Sequence, residues 1–441
     1  MLQSLYLTNR FFTTLGLAVF LLLLGYILPE ISSLGYVVVL ALLLLVAADV
    51  FLVYRFRKGV FARRETGEKL SNGDANPVDI YVENFYPHHL NLLIIDEVPV
   101  QFQRRDVQFQ LNLPAGATRS LHYELRPVKR GAYHFGAVNV LASTALGLVR
   151  RRYRFGREVT LPVYPSFVQM RQYELLAISN ELTLAGIKKI RRIGSSREFE
   201  QIEKYVTGDD YRRINWKATA RRGHLMVNHY QAERSQQVYS VIDKGRAMKM
   251  PFEELSLLDY TINASLVISS IALRKGDKPG LITFQHKISS LVPASGRNRQ
   301  LQLIMEQLYQ EKTAYYESSF KSLYTALRRK LNQRCLLLLY TNFESLHALE
   351  RQLPYLQLIN RQHLLVVVFF ENTEVEKLTR QPAKGLEDIY VKGIAEQLLY
   401  EKRLMVKKLK AHGIHSVLTP PQQLNVNTIN KYLELKARGL I

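Results

Sequence analysis

The chain has 441 residues, of which 60 are Lys or Arg and 38 are Asp or Glu, so its formal net charge is +22. A hydrophobic share of 47% excludes a mainly disordered or collagen-like chain, and the single cysteine excludes a scaffold held together by intramolecular disulfides. The length allows two or three domains, and the charge indicates a polyanionic partner, either nucleic acid or an anionic membrane surface.

Two long apolar runs open the chain. Residues 11–28 carry no charge, and residues 31–54 carry only Asp49. Each run is long enough to cross a hydrocarbon layer about 30 Å thick as a helix. A signal peptide is the alternative for the first run, but no small-residue cleavage site follows it and a second apolar run does. The sequence therefore predicts a transmembrane helical hairpin within residues 1–60.

Basic residues lie at the two outer ends of this hairpin and not in the link between its helices. The link between the runs has none, whereas the outer flanks carry Arg10, Arg55, Arg57, Lys58, Arg63 and Arg64. The positive-inside rule then places both termini and the folded body in the cytoplasm. Asp49 has two interpretations: a functional carboxylate within the membrane, or a group near the cytoplasmic end of its span that reaches interfacial water. We prefer the second.

Residues 61–166 show the pattern of a β-sandwich of roughly Ig-like size. Apolar and polar residues alternate in six runs, and turn residues separate the runs. The runs are VDIYVENFYP, HLNLLIIDEVP, VQFQLNLPAG, RSLHYELRP, GAYHFGAVNVLA and EVTLPVYP. Such alternation is typical of antiparallel strands with one buried face.

Residues 236–441 have a different pattern, in which short, wholly apolar runs are separated by amphipathic segments. The apolar runs are VYSVI, GLITF, CLLLLY, HLLVVVFF and IHSVL. Strands buried on both faces and alternating with helices predict a doubly wound α/β domain. GLITF, a short turn and ISSLV predict a hairpin that places an antiparallel strand at one edge of the sheet.

The connecting segment, residues 167–235, contains the densest group of unusual residues. Gly208 and Asp209 predict a turn, and Asp210 is expected to cap a helix. Along this helix, at helical spacing, lie Arg213, Trp216, Lys217 and Ala220. Two interpretations stay open. The group either cross-links the sandwich to the α/β domain through salt bridges and cation–π contacts, or recognises a partner or an anion.

The same segment resembles a known family. The residues that carry the resemblance run in order through Phe199 to Tyr205, Gly208, Asp209, Asp210, Arg213, Ile214, Asn215, Trp216, Lys217, Ala220 and Arg221. This string is similar to the signature of the bacterial domain of unknown function 58 family. Residues 130–152 are similar to the upstream segment of that family, and the amino-terminal hairpin fits its usual layout.

The resemblance implies a protein of the bacterial inner membrane whose carboxy-terminal half is similar to a von Willebrand factor A domain. It also implies a MoxR-type AAA+ ATPase as partner. The family has no established catalytic activity, so the resemblance implies no enzyme class and no cofactor.

An adhesion-type metal site of the von Willebrand A fold uses Asp-x-Ser-x-Ser, a Thr from a later loop and a further Asp, which are oxygen ligands suited to Mg²⁺. In this sequence Asp243 is present, but Gly245 and Ala247 stand at the two serine positions. Asn342 stands where the second acidic residue is expected. We therefore predict a degenerate site that holds no metal.

The leading functional hypothesis is a non-enzymatic, membrane-anchored interaction protein with an AAA+ ATPase or another cytoplasmic protein as partner. Its proposed partner surface is the signature set Gly208, Asp209, Asp210, Arg213, Asn215, Trp216, Lys217 and Arg221. The alternative is a protein that binds polyanions, either nucleic acid or anionic lipid headgroups, through the basic segment 188–222. A metal-dependent hydrolase is a third, weaker hypothesis. The hairpin makes the membrane, rather than nucleic acid, the preferred explanation of the positive charge.

Overall fold

The fold is taken from a computed structural model. It describes residues 4–104, 106–156, 158–178, 199–206, 211, 214–230, 235–313, 315–380, 382 and 385–440. The chain divides into two compact units, Met1–Tyr164 and Pro165–Ile441.

The first unit begins with a short strand and two helices. These elements are β1 (Leu5–Leu7), α1 (Asn9–Ile27) and α2 (Pro29–Tyr54). Both helices are long and apolar enough to cross a membrane by length and composition, and most of their apolar side chains are exposed. The predicted hairpin is confirmed as two consecutive, mutually packed helices. Proline is well placed at the start of α2, because the first N–H groups of a helix have no partner within the helix.

Ten further strands complete the described part of the first unit. They are β2 (Val60–Thr66), β3 (Leu70–Ser71), β4 (Asn76–Asn84), β5 (Leu90–Asp96), β6 (Gln108–Leu113), β7 (Thr118–Leu125), β8 (Gly131–Phe135), β9 (Val138–Ser143), β10 (Val149–Phe155) and β11 (Val159–Tyr164). The strands pair as β1-β10-β9-β5-β6, as β2-β4-β7 and as β3-β11-β8. One hydrophobic core takes residues from all three sheets, for example Ile80, Ile94 and Leu161. The alternating runs therefore form strands that bury one face in a common core, as a β-sandwich does.

Asp49 joins α2 to the loop between β9 and β10. Its carboxylate is fully buried. It accepts hydrogen bonds from the backbone N–H groups of Leu148 and Val149, each at 2.9 Å, and from the Thr144 hydroxyl. The expectation that Asp49 reaches interfacial water is wrong, because these three donors satisfy the carboxylate inside the protein.

The second unit is a mixture of helices and strands. Its elements begin with α3 (Phe167–Ile178), β12 (Phe199–Lys204), α4 (Trp216–Arg222), β13 (Met226–Tyr230), β14 (Gln237–Asp243), β15 (Pro251–Phe252), β16 (Leu255–Ser256), α5 (Leu257–Arg274), β17 (Lys278–Phe284) and β18 (Ile288–Val292). They continue with α6 (Gln300–Gln310), α7 (Phe320–Lys330), β19 (Leu336–Tyr340), α8 (Leu346–Gln362), β20 (Leu364–Phe370), α9 (Thr373–Arg380), α10 (Leu386–Ala411), β21 (His415–Thr419) and α11 (Leu424–Ala437).

Six strands of the described chain form the main sheet of this unit, in the order β18-β17-β14-β19-β20-β21. All neighbours are parallel except β18, which pairs antiparallel with β17 at the edge, so the predicted edge hairpin is confirmed. Successive residues of one strand pack into two different hydrophobic cores, one on each face of the sheet. Leu338 packs with residues of α5 and α11, and Leu337 packs with residues of α7, α8 and α10. Burial on both faces explains why these strands are apolar throughout.

Candidate functional site

Two groups of predicted residues can be located in the second unit. The signature set lies partly outside the described residues, since Gly208, Asp209, Asp210 and Arg213 are not among them. Its other members, Asn215, Trp216, Lys217 and Arg221, lie in or next to α4. The degenerate metal site lies at the carboxyl edge of the main sheet.

Asn215 fixes the position of α4. Its side-chain oxygen accepts a hydrogen bond from the Ala218 N–H at 3.0 Å, and its own N–H donates to the Met226 carbonyl at 2.8 Å. The helix that carries Trp216 and Lys217 thus begins at Trp216 with Asn215 as its N-cap. The sequence analysis assigned this cap to Asp210, which lies outside the described residues; the capping oxygen that the structure describes is that of Asn215.

The remaining signature side chains face solvent. Trp216 is 69% exposed, and Lys217 and Arg221 are exposed as well. The described residues therefore do not enclose the indole in a polar cluster. A tryptophan beside basic residues on a capped helix is a side-chain combination that protein interfaces favour. Whether the set binds a partner stays a prediction.

Asp243 is the centre of the second group. It is the last residue of β14, and β14 pairs with β17 and β19, so the carboxyl ends of three parallel strands meet around it. One carboxylate oxygen accepts from the Gly245 N–H at 2.8 Å and from the Ser318 hydroxyl. The other accepts from the Thr341 hydroxyl at 2.7 Å. Burial raises the pKa of Asp243 above its usual value, and the three hydrogen bonds only partly oppose this shift.

Ser318 explains why glycine stands at position 245. A Cβ atom on Gly245 would lie 2.0 Å from the Ser318 Oγ atom, so a serine at position 245 would collide with it. One of the two hydroxyls that contact Asp243 therefore comes from the segment before α7, and the other comes from Thr341. Ser318 lies 75 positions from Asp243 in sequence and stands in no recognisable motif, so sequence analysis missed it.

Asn342 contacts an ammonium group. The Nζ atom of Lys402 on α10 donates to the Asn342 side-chain oxygen at 2.9 Å and to the Phe343 carbonyl at 2.6 Å. Burial lowers the pKa of Lys402 to about 8, although Glu344 and Glu401 oppose the shift. The position expected to carry a metal-binding carboxylate thus carries an amide whose oxygen a lysine already uses.

The two basic residues that follow Asp243 are neutralised separately. Lys244 Nζ lies 2.6 Å from a carboxylate oxygen of Glu311 and is buried. Lys244 holds the pKa of Glu311 below its usual value, against the effect of burial. Arg246 faces Glu344 at 3.7 Å and not Asp243. Ala247 lies in the short 3₁₀ segment Arg246–Lys249.

The site around Asp243 at the carboxyl edge of the main sheet, called the corner below, is filled by side chains of the protein itself. Asp243, Ser318 and Thr341 satisfy one another, and Lys402 occupies the amide oxygen of Asn342. Among the described residues, no group of three or more His, Cys, Asp or Glu side chains is placed to hold a metal ion. That the site binds no metal remains a prediction.

Fold and corner together define the class of protein. It is a chain with an apolar helical hairpin packed on a mostly antiparallel β unit, followed by an α/β unit that has a closed polar corner at the edge of its main sheet. The family model for the protein of unknown function DUF58 matches residues 201–387. The resemblance to that family is thereby confirmed.

The chain is also similar to one curated relative. The chain is 28% identical over 240 residues to the uncharacterized protein YeaD of Bacillus subtilis (strain 168). The match covers 53% of this chain and 58% of YeaD, so the chain spans less than two thirds of that relative.

Two solved structures resemble parts of the chain. The conserved hypothetical protein BatB from Bacteroides thetaiotaomicron is 12% identical and covers 46% of this chain and 100% of its own, with a TM-score of 0.29. The CARDB domain of the PF1109 protein from Pyrococcus furiosus is 9% identical and covers 24% of this chain and 86% of its own, with a TM-score of 0.18. TM-scores this low do not establish a shared fold.

Proposed function

We propose that this chain is a non-enzymatic, membrane-anchored interaction protein of the bacterial inner membrane. Its folded body lies in the cytoplasm, and its partner is a AAA+ ATPase of the MoxR type. The observation that carries an interaction role is the exposed apolar face of α10. Its exposed apolar side chains are Leu386, Ile389, Tyr390, Val391, Ile394, Leu398 and Tyr400.

The exposure of this helix face is unusual for a folded domain. Leu386 is 73% exposed, and Ile389 and Ile394 are each 59% exposed. The same helix is anchored farther along by Met405 and Leu409, which are fully buried in the α/β core. A rigid element that presents several neighbouring apolar side chains to water is typical of a protein-binding surface.

The apolar hairpin and its flanking charges support the membrane anchor. Both helices are long enough to span a bilayer, and the basic flanks lie at the outer ends of the hairpin, which the positive-inside rule places in the cytoplasm. The order of the main sheet, with antiparallel β18 at its edge and Asp243 at the end of β14, supports the similarity to a von Willebrand factor A domain.

The closed corner at Asp243 supports a role without catalysis or bound metal. Its carboxylate is buried and accepts hydrogen bonds from the protein on both oxygens, which favours a structural role over an open metal site of the catalytic kind. The family resemblance supports the choice of an ATPase as partner. The signature residues Trp216, Lys217 and Arg221 offer a second contact surface within the range that matches the family.

Affinity purification of the full chain from solubilised membranes tests the proposal. We expect a AAA+ ATPase to be enriched over a control that carries only residues 1–60. The double substitution Ile389→Glu and Ile394→Glu should remove the partner if α10 binds it, and Trp216→Ala should do so if the signature surface binds it. Leu303→Glu, at an exposed position of α6, is the matched control.

The outcomes separate the parts of the proposal. A partner that still co-purifies with both surface variants contradicts the proposed surfaces. Enrichment of other proteins without an ATPase contradicts the choice of partner. Recovery of the full chain with the same proteins as the residues 1–60 control contradicts the interaction role.

A further inference from the structure

The hairpin and the sandwich are joined by several contacts at one level. Thr8 caps the start of α1 and donates from its hydroxyl to the Gly147 carbonyl at 2.6 Å. Asp49 of α2 accepts from the loop between β9 and β10, as described above. Arg151 of β10 donates to the Val53 and Phe56 carbonyls at 3.0 and 2.7 Å. The sandwich is thus held directly against the hairpin.

The length of α1 fixes where this junction lies relative to a bilayer. Its 19 residues extend about 28 Å at 1.5 Å per residue, which is close to the full thickness of the hydrocarbon layer. If α1 spans the membrane, as the proposed function requires, the cytoplasmic boundary falls at its first turn. Thr8 holds the loop residues Gly147 and Leu148 at that turn.

The length of helix α2 independently places the cytoplasmic boundary of the hydrocarbon layer at the same depth. From Pro29 to Asp49 the helix rises about 30 Å, so the hydrocarbon boundary falls near Asp49. The remaining turn and a half, up to Tyr54, extends beyond it and packs on the sandwich. Leu148 and Val149 form one apolar cluster with Leu42 of α2, which lies on the membrane side of Asp49.

The outward side chains of this loop suit the lipid interface. Leu146 is 40% exposed at the tip, and Leu7 of the adjoining strand β1 is exposed to a similar extent. Arg10 lies beside Gly147: one of its guanidinium nitrogens lies 3.2 Å from the place that a Cβ atom on residue 147 would take. Exposed leucines next to an arginine at the hydrocarbon boundary match the chemistry of the zone between acyl chains and headgroups.

We propose that residues 144–149 form a membrane-interface contact, with Leu146 inserted at the boundary between headgroups and acyl chains. Asp49 acts as the clamp that holds the loop at this depth. The contact seats the sandwich on the bilayer in one orientation, so the sandwich is not a freely tethered domain. This inference rests on the proposed membrane span.

Site-specific fluorescence on the full chain in lipid nanodiscs tests the contact. Cys335, the single cysteine of the sequence, is buried, so a cysteine introduced by Leu146→Cys takes the label. We expect an environment-sensitive dye at this position to shift to the blue and to be quenched at least twofold by lipids that carry a spin label near the top of the acyl chain. In Asp49→Asn the quenching should fall, because a neutral amide replaces the carboxylate that accepts the loop hydrogen bonds.

Val100→Cys is the matched control. Val100 is 89% exposed in the loop after β5, and Asp96 at the end of β5 pairs with Val138, so this loop lies at the opposite end of β9 from Ser143. Six residues of strand separate the two ends by about 20 Å. A dye at position 100 should not be quenched.

Extraction with alkaline carbonate separates the inference from the proposed function. A chain that stays in the membrane while position 146 behaves like position 100 contradicts the interface contact alone. Release of the chain by carbonate contradicts the membrane span, and the contact with it. Equal quenching in the wild-type and Asp49→Asn backgrounds contradicts the clamp.

Discussion

Asp243 shows how one buried carboxylate can be satisfied without a metal ion. Two hydroxyls and one backbone N–H donate to its oxygens, and each comes from a different part of the chain. The glycine at position 245 is needed because the Ser318 hydroxyl occupies the space next to it. The two residues therefore act as a pair, and their substitutions should not be additive.

A double-mutant cycle measures this coupling. Gly245→Ala should destabilise the second unit by about 1–3 kcal/mol, because the new methyl group meets the Ser318 Oγ atom. Ser318→Ala should cost about 1–3 kcal/mol, because Asp243 loses a donor. The double variant should lose less than the sum, since removing Oγ makes room for the methyl group. Melting temperatures of the full chain in detergent give the comparison, and additive losses would contradict the steric explanation.

Lys402 should give the second unit an unusual dependence on pH. Its pKa is about 8 in the folded chain, against about 10.4 in an unfolded chain. Between these values the unfolded chain binds the proton that the folded chain has released. The free energy of unfolding therefore rises with pH in this window, and the contribution of the neutral amine is greatest above it.

The variant Lys402→Met lacks this contribution. The free energy of unfolding of the wild type minus that of Lys402→Met should increase by about 1–2 kcal/mol from pH 7.5 to pH 10. The upper limit is about 1.4 kcal/mol per unit of pKa difference, and access of solvent to Lys402 reduces it. Lys410→Met removes an exposed lysine from the same helix and controls for the loss of one charge. Denaturant unfolding at several pH values gives the difference. A difference that is flat or falls with pH would contradict the lowered pKa.

At the scale of elements, strands were predictable where the burial pattern was regular. Period-two alternation located β4 to β9 and β11, and continuous apolar runs located β14, β17, β19, β20 and β21. Strand β10 was missed because four of its seven residues are arginines. Two of these, Arg151 and Arg152, donate hydrogen bonds to partners that are distant in sequence, the Val53 carbonyl and the Tyr6 hydroxyl, which a local pattern does not reveal.

Only those residues of the candidate site that follow neighbouring strands could be predicted from the sequence. Asp243 and Asn342 follow two apolar strands, so their meeting at one edge of a parallel sheet could be expected. Ser318 and Lys402 come from a loop and a helix whose arrival at the corner depends on packing across the whole domain. The role of Asp49 was misjudged for the same reason, because its partners lie 95 to 100 positions away.

At the scale of the whole molecule, the two units differ in their dependence on the hairpin. The cores of the second unit contain only residues from Phe167 onward. The sandwich core likewise contains residues from Phe56 onward, so it can form without the hairpin. One edge of the sandwich does need the hairpin, because β1 pairs with β10 and because Leu148 and Val149 pack on α2.

A fragment of residues 55–441 should therefore fold but self-associate. Deletion of residues 1–54 leaves β10 as an unpaired edge strand, exposes Leu148 beside it, and removes the acceptor of the Leu148 and Val149 N–H groups. An exposed edge with apolar neighbours is a template for pairing with another chain. Size-exclusion chromatography should show oligomers for this fragment and a monomer for residues 165–441.

The substitution Leu148→Glu in the 55–441 fragment should restore the monomer by placing a charge at the exposed edge of the sandwich. A monomeric 55–441 fragment with normal circular dichroism would show instead that the sandwich edge is independent of the hairpin.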